Sequence, residues 1–299
     1  MPRIAANLTR VFAAITLAIT GTSCEAGQTS SSSASSAGRV EVGQPFQICK
    51  NCPIFIRVPS APAPLRKIEF VSKYELTWNN FIDAVEDGSC KMPALAATGA
   101  DESLDLLKAN VRYLRIDWPA TQLGPSEIEC YMRWLQTRTK LRVALPTGAE
   151  WEWFASGGKK ELRYPWGNSP AGGGEVLYDR SSGRLDRRFQ DPVPDDNGGY
   201  FVSAMKVGQS TANAWGLYDL MGNAIELTSE IIPYAEWKRS HPGEIDLGPY
   251  DWVKAKGVES FSAQDWSETS IKKDVFIGSR NGHYSAPAVA RLILIAEGQ

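Results

Sequence analysis

Asn213 to Asn223 reads NAWGLYDLMGN. Gly216 and Gly222 bracket an aromatic, acidic and aliphatic middle, Leu217 to Met221. The stretch has neither the 3.6-residue period of an amphipathic helix nor the strict alternation of a half-buried strand. Glycines at such spacing serve where the backbone turns with positive φ or must approach another segment closely. It reads as an ordered loop whose aromatic side chains fill space that regular elements occupy in other folds. Tyr164 to Asn168 (YPWGN) has the same character upstream.

The composition extends this reading to the whole chain. Ten Trp, ten Tyr and ten Phe accompany 26 Gly among 299 residues, as expected of a loop-rich fold held by aromatic packing. With 43% hydrophobic and 22% charged residues the chain is an ordinary globular one, large enough for one sizeable domain. A formal net charge of -2 and the lack of any Lys/Arg run argue against a nucleic-acid partner. Only two histidines occur, His241 and His283, which argues against a His-rich transition-metal site.

Residues 1–26 read as an export signal. Arg3 and Arg10 precede the apolar run Val11 to Thr20, shorter than the roughly 20 residues needed to span a bilayer. Gly21-Thr22-Ser23-Cys24 then offers two readings: a lipoprotein box with lipidation at Cys24, or plain cleavage near Ala26. Either places the mature protein outside the cytoplasm, in the periplasm or on a lipid anchor, its sole expected link to a membrane. Residues 27–45 form a Ser-rich linker, and 46–299 the domain. Cys49, Cys52, Cys90 and Cys130 remain, an even number that favours disulfides in an oxidising compartment. Three pairings are open, with Cys49–Cys52 and Cys90–Cys130 preferred.

Local signals place the elements. Ile54–Val58, Lys67–Tyr74, Tyr113–Trp118 and Arg291–Ala296 read as strands. Thr77 caps a helix with Trp78, Phe81, Ile82 and Val85 on one face, stopped at Asp87-Gly88. Capping boxes at Ser126-x-x-Glu129 and Thr147-x-x-Glu150 open two more, the last closed by Gly157-Gly158. Beyond Gly158, Arg291–Ala296 is the one clear regular element expected, giving an α+β domain with much irregular structure.

Together these segments resemble the formylglycine-generating-enzyme, or sulfatase-modifying-factor, domain family. Phe46-x-x-Cys49-x-x-Cys52-Pro53 resembles the start of secreted members, and Tyr74 to Thr77 (YELT) the family's YEVT. Glu127 to Leu135 (EIECYMRWL), Leu145 to Trp153 (LPTGAEWEW), YPWGN and NAWGLYDLMGN each resemble a family motif in order. Arg280 and Arg291 resemble two arginines near the domain end. The resemblance implies a C-type-lectin-like fold.

It also implies sites. A family calcium site would use Gly222, Asn223, Ala224 and Glu226, oxygen donors of the kind Ca²⁺ takes; here that turn reads GNAIEL, without the usual tryptophans. A second would lie near Asp195, Asp196 and Asn197. The aerobic enzymes oxidise a substrate cysteine with copper held by two thiolates, at positions matching the neighbourhood of Lys272 and Ile277. No cysteine follows Cys130, so copper is not expected. The chain resembles the exported, pyoverdine-maturation-like branch that lacks those cysteines. That implies a maturation or tailoring step, oxidative or otherwise, on a peptide-derived substrate, with His283, Tyr284, Arg280 and Lys272 as the candidate catalytic residues. The alternative is a non-catalytic lectin-fold binding or scaffold protein for a peptide or small molecule, displayed in the periplasm or on the cell surface.

Overall fold

The β-branched runs near both ends of the chain meet in one sheet. The computed structural model describes residues 40–93, 117–121, 123–139, 141–169, 193–194, 200–201, 206–242, 251–257, 270–280, 283–284 and 288–296. Strands β1 (Pro45–Gln47), β2 (Ile54–Arg57), β3 (Ile68–Ser72), β4 (Arg142–Ala144) and β12 (Ile293–Ile295) form the first sheet, in the order β1-β2-β3-β12-β4. Every neighbouring pair in it is antiparallel.

The period of two along these strands sorts side chains onto two cores. Phe55, Phe70 and Leu294 enter one core, with Phe81, Tyr131 and Leu292. Their chain neighbours Ile56, Val71 and Ile293 enter the other, with Trp151, Phe154, Tyr164 and Leu217. Each such fully buried side chain contributes about 1.5–3 kcal/mol relative to exposure.

The second sheet lies where sequence patterning leads one to expect few elements. It comprises β7 (Ile225–Ile232), β8 (Asp251–Lys256), β9 (Val275–Arg280), β10 (His283–Tyr284) and β11 (Ala288–Val289), in the order β10-β9-β8-β7-β11. Strand β11 runs parallel to β7, and the other pairs are antiparallel. Two features hide it. The register shifts between Leu227 and Ile231, and Lys254 and Lys256 stand at positions the sheet covers. A small hairpin joins β5 (Val193–Pro194) to β6 (Tyr200–Phe201).

Four helices are described. In α1 (Trp78–Glu86) the Thr77–Asn80 capping box forms, and Trp78, Phe81 and Ala84 are buried while Ile82 and Val85 lie at the margin. In α3 (Gly148–Ala155) the Thr147–Glu150 box forms, and Gly157 and Gly158 follow with φ of 61° and 72°. The box expected at Ser126 does not. Helix α2 (Pro125–Thr139) starts at Pro125, whose fixed φ suits a first helical position. The Ser126 hydroxyl bonds Glu127 instead, and Glu129 pairs with Arg133. Helix α4 is Tyr234–Ser240. Of the strand expected at Tyr113–Trp118, 113–116 lie outside the described residues and Asp117-Trp118 is not extended. The structure joins Cys49 to Cys52 and Cys90 to Cys130, the latter tying the end of α1 to α2.

The loop that opened the reading is ordered by one side chain. The Asn213 amide donates to the carbonyls of Phe154 (2.7 Å) and Ala155 (3.1 Å), which end α3 and lack helical partners. Its oxygen accepts from the backbone of Trp215 and Leu217. Gly216, Asp219, Gly222 and Asn223 all take positive φ.

Candidate functional site

The loop and the two sheets enclose a charged centre. Glu75, Asp219, Glu226 and Arg291 are each at most 1% exposed. Arg291 Nε lies 2.8 Å from Glu226 Oε2, and Nη2 lies 2.6 Å from Oε1, a two-pronged pair. Trp151 Nε1 adds a third donor to Glu226 at 2.6 Å, and Arg291 spends its remaining donors on the carbonyls of Ser72 and Tyr218. Asp219 accepts from the backbone of Gly208 and Ser210. Glu75 accepts from Asn223 Nδ2 (2.5 Å) and Ala224 N (3.2 Å). Burial first, then the charges of Asp219 and Glu226, hold the Glu75 carboxyl well above the usual carboxylate range.

Above this centre, α3 lies against β7 and β8 and clips them together. Trp252, Lys254 and Lys256 alternate onto the face of β8 that α3 covers, while Val253 and Ala255 point into the first core. The Lys256 ammonium group, wholly buried, lies 2.5 Å from Glu152 and 2.5 Å from Asp274, the latter off the line of a hydrogen bond. Lys254 reaches Asp274 at 3.0 Å and Glu230 at 3.7 Å, and Glu230 accepts from Gly148 N at the start of α3. Burial alone would raise Asp274, but the close ammonium groups of Lys256 and Lys254 outweigh it and hold the carboxyl below its ordinary range. The result is a strip of alternating charge, one-quarter to one-third exposed at Lys254, Asp274 and Glu152.

Beside the strip stands an aromatic stack. His241 lies 3.6 Å from Trp237, ring centre to ring centre, and Trp237 lies 4.2 Å from Trp252, both near parallel. Phe276 closes the group at 4.8 Å from Trp237. His241 Nδ1 sits 3.0 Å from Ser240 Oγ. Sequence reasoning passed over His241. The signal was its spacing of four from Trp237 at the end of a short helix, which puts the two rings on one side.

The expected site residues fare unequally. Lys272 is exposed at the edge of the strip, its carbonyl 3.5 Å from Lys256 Nζ. Ile277 is buried in the first core, opposite Val253, so it faces away from the strip. Arg280 pairs with His283, and Ser279 with Tyr284, in the β9–β10 hairpin; the side chains of Arg280, His283 and Tyr284 lie outside the described residues. So do Cys24, Asp195, Asp196 and Asn197.

At the position expected to hold calcium, Glu226 is committed within the chain: both of its oxygens accept from Arg291, and one accepts from Trp151 as well. Gly222, Asn223 and Ala224 do come together, but around the carboxyl of Glu75. The chain does not fit the implied ion with this donor set. Nor does it fit thiolate-held copper: Cys49, Cys52, Cys90 and Cys130 are all in disulfides, and none follows.

A family model described as the sulfatase-modifying factor enzyme 1-like domain matches residues 22–277. The chain belongs to that family. It is 33% identical over 121 residues to the formylglycine-generating enzyme of Mycobacterium tuberculosis, a match covering 40% of this chain and 36% of that protein. The chain thus spans about a third of that relative. It is 28% identical over 215 residues to a protein named chaperone protein LppX from Paenibacillus barcinonensis, covering 67% and 72% of the two. Its fold is similar to the solved structure of PvdO from Pseudomonas aeruginosa, with a TM-score of 0.52 at 16% identity over 86% of this chain and all of that one. The α+β sulfatase-modifying-factor fold therefore stands.

Proposed function

We propose that this family member is an exported protein that matures or tailors a peptide-derived substrate and does so without copper-thiolate chemistry. One observation carries the reading. Where family resemblance puts the thiols, the segment leading into β9 offers exposed Lys272 and half-buried Asp274, the latter joined to Lys254, Lys256 and Glu152 in a charged strip. Such a strip can orient a zwitterionic peptide by pairing each of its termini, and the low exposure strengthens those pairs. His241 stands beside the strip on its aromatic stack, with Nδ1 3.0 Å from Ser240 Oγ.

The test is deletion of the gene followed by mass spectrometry of exported peptide-derived products. Accumulation of a precursor with a fixed mass difference supports the reading, and complementation by Asp274→Asn should restore less product than the native gene. Formation of formylglycine from a cysteine peptide with copper and oxygen would overturn it.

The binding or scaffold alternative draws on the relative named a chaperone, matched over most of its length. An unchanged product profile, with the purified protein retaining an exported peptide, would favour that alternative.

A further inference from the structure

The disulfide Cys49–Cys52 does not contribute to the charged strip, yet the loop it closes is held with unusual care. Gln47 donates both amide hydrogens into it, to the carbonyls of Lys50 (3.0 Å) and Cys52 (2.9 Å). Asn51 donates to Asp83 at 2.9 Å, and Asn80 donates to the Asn51 carbonyl at 2.7 Å. Four side-chain hydrogen bonds and one covalent bridge therefore fix a short surface loop, two of the bonds coming from β1 and two tying it to Asn80 and Asp83 of α1. Loops that only connect elements have no need of such fixing.

What the loop borders is a cleft of about 270 Å³ between it, the start of α1 and the segment around Lys206. Lys50, Tyr74, Asn79, Asp117 and Lys206 line it. Lys206 and Asp117 pair with each other at 3.0 Å. The Lys50 ammonium, the Asn79 amide and the Tyr74 hydroxyl have no protein partner among the described residues. Tyr74 is itself set firmly, with its ring against Tyr218 at 5.4 Å and Gly208 against its edge. The wall thus supplies a cation and two hydrogen-bonding groups on rigid supports, next to an aromatic ring. Glu75 borders the same cleft, but its carboxyl is buried and accepts from Asn223 Nδ2 and Ala224 N.

We propose that this cleft is a binding site for a small ligand bearing a carboxylate, such as a free peptide carboxyl terminus. Lys50 pairs with the carboxylate, Asn79 and the Tyr74 hydroxyl bond the adjoining amide, and the Tyr74 ring packs against the first side chain. Preorganisation by the disulfide loop lowers the ordering cost that a flexible lysine would otherwise impose. The proposal shares no residue with the charged strip and does not rest on the maturation reading.

The test is isothermal titration of the purified full-length protein with acetyl-trialanine carrying a free carboxylate and with the same peptide as its carboxamide. The acid should bind at least about tenfold more tightly than the amide, the size of one charge-assisted hydrogen bond. Lys50→Gln should remove that preference and leave the amide's affinity unchanged, with Asn79→Ala weakening both peptides alike. Equal binding of acid and amide, or a preference that survives Lys50→Gln, overturns the proposal. So does the absence of any heat with either peptide. Asp274→Asn, which disturbs only the strip, should leave both affinities as they were.

Discussion

Arg291 and Glu226 meet 65 residues apart in sequence, both side chains wholly buried, with the guanidinium set two-pronged on the carboxylate. Taking such charges out of water is costly, and their attraction repays it only because each nitrogen of Arg291 and both oxygens of Glu226 have hydrogen-bond partners. Removal of one partner should therefore cost more than removal of both. Arg291→Met should destabilise by about 3–5 kcal/mol in urea unfolding. Adding Glu226→Leu to it should recover part of that loss, leaving the Trp151 indole unpaired. A double variant less stable than Arg291→Met would refute the pairing argument.

The same pair yields a prediction about metal. Since the Glu226 carboxylate is committed, calcium and chelator should leave the midpoint of thermal unfolding unmoved. A rise with calcium would show that an ion displaces the guanidinium or finds donors elsewhere.

Glu75 sets the sign of one pH effect. Its folded pKa lies above the unfolded value, so the folded state holds the proton more tightly. Stability from this group is full below the unfolded value and is lost as pH rises towards the folded one. Stability should therefore fall as pH rises above the ordinary glutamate range, and Glu75→Gln should flatten that slope. Because glutamine has one acceptor oxygen where Glu75 uses two, the variant should also lose about 1 kcal/mol at every pH. Urea midpoints across the range decide it; an unchanged slope would mean that Glu75 is ionised in the fold.

The two disulfides should differ in weight. Chain-entropy arithmetic gives about 4 kcal/mol for the bridge that closes 40 residues, Cys90–Cys130, against about 2 kcal/mol for the short Cys49–Cys52 loop. Serine pairs at each should lower the denaturation midpoint in that ratio.

Gly158 should resist substitution. Its φ is 72°, and a Cβ there would stand 2.8 Å from Trp215 Cζ2. Gly158→Ala should cost about 1–2 kcal/mol from the backbone alone, with Trp215 pushed off Trp153 as a further loss visible in its fluorescence.

What was legible in the sequence was local. Thr77 as a cap, Thr147 with Glu150 and the glycines after α3 act within a few residues, so their chemistry shows in a short window. The second sheet was not legible because its strands carry Lys254, Lys256 and Glu226 inward, and each is tolerable only beside a partner far along the chain. Glu226 looked like a metal ligand for the same reason: a carboxylate after a glycine turn is ambiguous until Arg291 is placed beside it. Ile277 was readable as the replacement for a thiol, but that it faces the core became clear only from its register opposite Val253.

Strand β12 lies in the middle of the first sheet, between β3 and β4, while β11, a few residues before it, joins the edge of the second. One short stretch, residues 288–295, thus completes both sheets: it joins β3 to β4 in the first and adds the edge strand of the second. A growing chain can hold β1 to β10 and still lack the strand that seats β4 and the arginine that neutralises Glu226. Assembly of the first sheet waits on that stretch, and a break in the chain before Ala288 would strand β4 and leave Glu226 buried without its cation.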